Sequence, residues 1–156
     1  MEIREIKSLI DRSLFASLGY TDSEGRQNIR RVFCVWHKGL GQHLISTNTS
    51  SSHVQELLKN GTSCLYFSDD ETFEAVCLYG KAEVSRERAH KELLWNEGDE
   101  KYYPNGIDDE DYCVIVFAAE SGRYYRFDGK ADITAEVLSA YDKDAEFENG
   151  YSKIHG

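Results

Sequence analysis

The chain has 156 residues, 40% apolar and 12% aromatic, enough to fill one domain core and too rich for a disordered segment. Its 28 acidic residues outweigh 18 basic ones for a formal charge of −10, which excludes a general nucleic-acid binder, and no run approaches the roughly 20 apolar residues of a membrane span. The opening MEIREIKSLIDRS spaces charges every few residues and carries no signal-peptide core, so a cytoplasmic protein is expected.

Ile3, Ile6 and Ile10 fall at helical spacing and predict a short amphipathic helix over 2–13. Strand patterns follow: Leu14 to Tyr20 alternates, Asp22-Ser23-Glu24-Gly25 has turn chemistry, and Asn28 to Trp36 is rich in β-formers, which together predict a hairpin. His37 to Gly41 turns the chain into a third strand, His43 to Thr47. The polar stretch Asn48 to Ser52 then enters a helix with Val54, Leu57 and Leu58 on one face, stopped by Asn60-Gly61. Thr62 to Ser68 and Phe73 to Ser85 are predicted strands, with Gly80 the place for a bulge. Residues 86–97 predict a helix with Ala89, Leu93 and Leu94 inward. Gly98 to Asp111 is an acidic loop holding the single proline, Pro104, and Tyr112 to Ala119 and Arg123 to Phe127 are two further strands. Beyond Gly129 a helix over Ile133 to Tyr141 is expected to give way to a mobile acidic tail, which divides the chain into a barrel domain over 1–129 and a C-terminal helix and tail over 130–156.

Strand pairs joined by tight turns, without regular βαβ alternation, predict a mainly β fold with short α elements, an antiparallel barrel. Cys34, Cys64, Cys77 and Cys113 lie far apart in apolar runs with no Cys-x-x-Cys spacing, and buried free thiols are expected. The histidines have no metal-ligand spacing, and there is no nucleophile elbow or Walker A loop. The chemistry concentrates instead at Thr47 to His53, where a strand feeds a hydroxyl-rich loop into a helix N-terminus; backbone N–H groups and the helix dipole there outline a phosphate site. Arg30 or Arg31 could add a bidentate contact.

The hairpin LFASLGYTDSEGRQNIRRVFCVW, the strand-loop-helix STNTSSSHVQELL, the strand YGKAEV and the stretch LLWNEGDEKYYPNGIDDEDYCVIVF follow in an order that resembles the pyridoxamine 5′-phosphate oxidase-like FMN-binding split-barrel family over about residues 5–128, and within it the general stress protein branch. WNEGDEKYYPNGIDDEDY is the most specific part. The resemblance implies a six-stranded antiparallel split β-barrel, a homodimer with FMN at the subunit interface and no metal. By position, Arg30 or Arg31, Thr47, Thr49, Ser51 and Ser52 match the phosphate-binding residues, while Val32, Phe33 and Cys34 match the strand against which the isoalloxazine ring lies. Trp95, Tyr102, Tyr103 and Tyr125 match aromatic groups added by the opposite subunit.

His53 stands where the family usually has a lysine; an ordinary histidine is partly charged near neutrality, so affinity acting through it is expected to rise as pH falls. Arg126-Phe127 stands where many relatives carry Trp. The implied activity is a flavin-dependent oxidoreductase that passes electrons from NAD(P)H to a small acceptor, the flavin supplying the chemistry and no catalytic side chain being assigned. The alternative is a flavin- or haem-binding module or sensor without turnover, or a barrel without cofactor. Ten Tyr, seven Phe and two Trp exceed what one small core readily buries, which also suits a homodimer.

Overall fold

The computed structural model describes residues 3–156. Helix α1, Ile3–Arg12, buries Ile6, Leu9 and Ile10. Seven strands follow, β1 Phe15–Thr21, β2 Gln27–Phe33, β3 Trp36–Lys38, β4 Gln42–Asn48, β5 Thr62–Asp69, β6 Glu74–Ser85 and β7 Tyr112–Arg126, with α2, Ser52–Lys59, between β4 and β5 and α3, Arg88–Leu94, between β6 and β7. The chain ends in β8 Gly129–Ile133, α4 Ala135–Asp142, β9 Phe147–Asn149 and α5 Gly150–His155.

All pairings are antiparallel, in the order β2-β1-β5-β6-β7-β4-β3-β9, with β8 beside β7. The fold is mainly β, a curled half-barrel of the split-barrel type. Six strands, β1, β2, β4, β5, β6 and β7, have seven or more residues and form its body. The two-residue period of each strand puts Leu18, Leu65 and Leu78 in one row and Phe67, Val76 and Tyr124 in another, all fully buried inside the curl. At Gly80 the β6–β7 register shifts, as its glycine predicts; a Cβ there would lie 2.0 Å from the Ala118 carbonyl oxygen.

Four expectations change. Tyr112 to Arg126 is one strand rather than two, because Ser121 and Gly122 stay paired with Tyr79 and Leu78 through the expected break. The helix expected over 86–97 is only seven residues long, and Lys91 and Leu94 are its buried residues while Ala89 is exposed. The Lys91 carbonyl accepts the buried Tyr112 hydroxyl at 2.9 Å, and that bond sets which face turns inward. Cys34 and Cys113 are buried thiols, but Cys64 and Cys77 are half-buried. Finally, the segment expected as a mobile acidic tail is folded against the barrel. Asp142 accepts the Leu40 and Gly41 N–H groups at 2.8 and 2.9 Å, β9 pairs with β3, and Glu148 meets Lys7 at 2.6 Å and Lys153 at 2.7 Å. Two of its carboxylates, Asp142 and Glu148, are engaged by donors elsewhere in the fold, whereas the sequence pattern reads the whole run as solvated.

No helix among the described residues is long and apolar enough to cross a membrane.

Candidate anion and cofactor site

Strand β2 lies at the edge of the sheet, bonded only to β1. Its alternation settles which arginine faces the hydroxyl loop. Arg30 and Val32 pair with Leu18 and Ala16, whose side chains are buried inside the curl, so they share the inner face; Arg31 pairs with Ser17 on the outer face. The Arg31 guanidinium lies over the Phe15 ring, 4.2 Å from its centroid. Arg30 is the arginine whose charge reaches His53 on α2. Among the described residues no carboxylate pairs with it.

The loop from β4 into α2 is held by a residue 61 positions later. Asp111 accepts the Ser50 N–H at 2.8 Å and the Asn48 side-chain amide at 2.9 Å, and its carbonyl accepts the Thr49 N–H at 2.7 Å. Hydrogen bonds from Asn48 and then Ser50 hold the Asp111 carboxyl below its usual range. The Thr49 hydroxyl accepts from Arg86 at 2.9 Å and donates to the Glu110 carbonyl at 3.3 Å, so it faces the acidic loop. Ser51 occupies the position before α2 without capping it, which leaves the Ser51 and Ser52 hydroxyls and the N–H groups of the first helical turn available to an anion.

His53 corrects the sequence expectation. It is 1% exposed, its Nε2 shares a hydrogen bond with the Thr47 hydroxyl at 3.0 Å, and its Nδ1 is buried without a partner. Burial first, and the Arg30 charge second, push it down to about 4. A histidine lying wholly in solvent would sit near 6.5; this one is neutral at pH 7 and supplies hydrogen bonding but no charge. Two arginines carry the positive charge around this loop: Arg30, which no carboxylate pairs among the described residues, and Arg86, held on the Thr49 hydroxyl and the Glu110 carbonyl.

Trp95, Tyr103 and Tyr112 form a cluster of tilted and edge-on rings, with centroids 6.1 Å apart for Trp95 and Tyr103, 5.3 Å for Trp95 and Tyr112, and 4.8 Å for Tyr103 and Tyr112. The Tyr103 hydroxyl donates to the Asn48 side chain at 3.2 Å, which brings this cluster to the end of the hydroxyl loop. Tyr102 is 71% exposed, and the Tyr125 hydroxyl pairs with that of Tyr66 at 3.0 Å on the outer face of the sheet, opposite to the face that carries Arg30. Along β2, Val32 packs into the core and Phe33 is half exposed. Cys34, just beyond the strand, is buried, and burial pushes its thiol up to about 12, so it is no nucleophile.

Where β2 ends, a cavity of about 260 Å³ opens between Phe33, Trp36, Leu44 and Ser46 on one side and Tyr151 and His155 of α5 on the other. Of these six, only Phe33 is among the residues to which the sequence points. Asn149, whose side chain accepts the Ser152 N–H at 2.9 Å as a helix cap, was the one local signal for α5.

The donor set suits a phosphorylated planar cofactor. An unpaired arginine and helix N–H groups stand at one end, the unpaired backbone of an edge strand runs alongside, and an apolar cavity with a few polar groups lies at the other end.

A family model described as Pyridoxamine 5'-phosphate oxidase like matches residues 2–144. The chain is similar to a solved protein from Clostridium acetobutylicum described as related to general stress protein 26 of B. subtilis (pyridoxinephosphate oxidase family). The two are 39% identical, with 87% of this chain and 96% of that one covered and a TM-score of 0.76. The General Stress Protein 26 from Bacillus anthracis is 14% identical, covering 94% and 97% at a TM-score of 0.66, and a heme binding protein from Mycobacterium smegmatis is 20% identical, covering 88% and 60% at 0.68. Both share the fold. A comparison with curated proteins returned no match.

Proposed function

Because the chain belongs to the pyridoxamine 5'-phosphate oxidase like family, we propose that it binds FMN along β2 and works as a cytoplasmic flavin-dependent oxidoreductase, passing electrons from NAD(P)H to a small acceptor. The observation that carries this reading is Arg30: an unpaired cation on the inner face of an edge strand, beside a helix N-terminus with free hydroxyls. In this reading Arg30 and the Ser51 and Ser52 hydroxyls hold the phosphate, and Thr47 fixes His53 as a neutral partner. The backbone of Val32 to Cys34 would hold the ring system of the cofactor, and the cavity beside Phe33 and Trp36 would receive the nicotinamide or the acceptor. FMN bound there would supply the hydride and electron chemistry. The chain's own residues bind, orient and exclude water.

The same reading includes a homodimer. Phe15, Ile29 and Phe33 are 42%, 81% and 50% exposed along the β1–β2 edge, a surface suited to a second copy. In this reading Tyr102 and Tyr125 reach the cofactor from that copy.

The test is to add FMN to the purified protein, remove the excess by gel filtration, record the visible spectrum and then follow NAD(P)H oxidation. Retained flavin at one per chain with turnover above free FMN is expected. Retained flavin without turnover replaces the enzyme by a binding module. Loss of flavin together with a Soret band on adding haem overturns the cofactor.

A further inference from the structure

The outer face of the sheet carries a second arrangement of reactive groups, apart from β2. Cys64 on β5 pairs with Tyr79 on β6, and Tyr66 pairs with Cys77, while Leu65 and Leu78 between them point into the core. The strand period therefore puts Cys64 and Cys77 on the outer face as a diagonal cross-strand pair. Both are half-buried, unlike Cys34 and Cys113, and they lie two and three strands in from β2.

Their surroundings are built around sulfur. Tyr79 stands directly across from Cys64 and Tyr66 directly across from Cys77, so a tyrosine on each strand flanks the pair. Gly19 pairs with Cys64 across β1 and β5, and a Cβ on it would stand 2.7 Å from the Cys64 sulfur, so any larger residue would displace the sulfur from this place. The neighbouring Cys77 pulls the Cys64 thiol below its usual range, against burial, while Cys77 itself is pushed above it, so Cys64 is the sulfur of the two that loses its proton first.

We propose that Cys64 and Cys77 are a redox-active dithiol, a site at which hydroperoxides close an intrachain disulfide. The Cys64 thiolate attacks the peroxide: an S–O bond forms, the O–O bond breaks, and the leaving hydroxide takes up a proton as water. The Cys77 sulfur then attacks the Cys64 sulfenic acid; the S–S bond forms, the S–O bond breaks, and a second water leaves with the Cys77 proton. Two thiols lose two electrons and hydrogen peroxide gains them. A small dithiol reverses the change by exchange.

The experiment treats the native full-length protein with hydrogen peroxide and counts free thiols before and after. Two of the four are expected to disappear, the intact mass to fall by two hydrogens, digestion to show the peptides of Cys64 and Cys77 joined, and dithiothreitol to restore both. C77S is expected to stop at a Cys64 sulfenic acid trapped by dimedone, and C64S to lose thiols about tenfold more slowly than the parent. Survival of all four thiols, a disulfide between two chains on a non-reducing gel, or equal oxidation of C64S would each overturn the proposal.

Discussion

Arg30 and Arg31 are chemically identical and adjacent, yet the strand period sends one toward α2 and the other onto the Phe15 ring. Arg30→Ala should therefore weaken FMN binding by about 10- to 100-fold, the loss of a charge-assisted hydrogen bond of about 1.5–3 kcal/mol, while Arg31→Ala leaves it within about threefold. Titration calorimetry on both variants checks this, and equal losses would refute the assignment. Two of the three buried histidines, His43 and His53, give a second prediction. His43, enclosed with Phe67 and Phe117, is pushed down to about 3 by burial first and His37 second, and His53 to about 4. Below the ordinary value of about 6.5 the unfolded chain binds protons that the folded chain refuses, so stability falls as pH drops through that value. Urea unfolding between about pH 7 and about pH 5, above the range where most carboxylates titrate, should show this decline, and His53→Gln should make it shallower. The hydroxyl loop and the arginine pair are legible in the sequence as candidate anion-binding groups because both are local. The neutrality of His53 is not, since it depends on what packs over the ring.

Among the elements, the loop into α2 has its shape from Asp111, which closes three hydrogen bonds across the chain. Asp111→Ala should lower stability by about 1–3 kcal/mol and weaken FMN binding even though it touches no ligand, because the first turn of α2 would lose its fixed approach. Thermal unfolding and FMN titration of this variant, set beside Arg30→Ala, separate the two effects: only the Asp111 change should move the melting temperature of the cofactor-free protein. The acidic run 108–111 shows in the sequence as charge alone. The partners of Asp111 lie about sixty residues earlier, a separation at which no local pattern operates. Long elements with a clear period, β1, β2, β5 and β6, were readable near their observed limits. The short β3, β8 and β9 were not, for strands of three to five residues take their conformation from the edge they join.

For the whole molecule, the barrel class follows from hairpin spacing and turn chemistry, whereas the path of the sheet is set by pairings among distant segments, β4 with β7 and β3 with β9. The homodimer reading has its test at this scale. Sedimentation should give a dimer at micromolar concentration, and Ile29→Lys with Phe33→Glu should give a folded monomer that no longer retains FMN; a monomeric parent would overturn both the dimer and the shared site. The β3–β9 pairing has a consequence for biosynthesis. β3 is made early and β9 after every other strand, so a nascent chain leaving the ribosome carries β3 as an unsatisfied edge throughout most of translation. Shielding that edge falls to whatever holds the chain at the exit tunnel, and a stall before codon 147 would release a barrel ready to pair with the wrong strand.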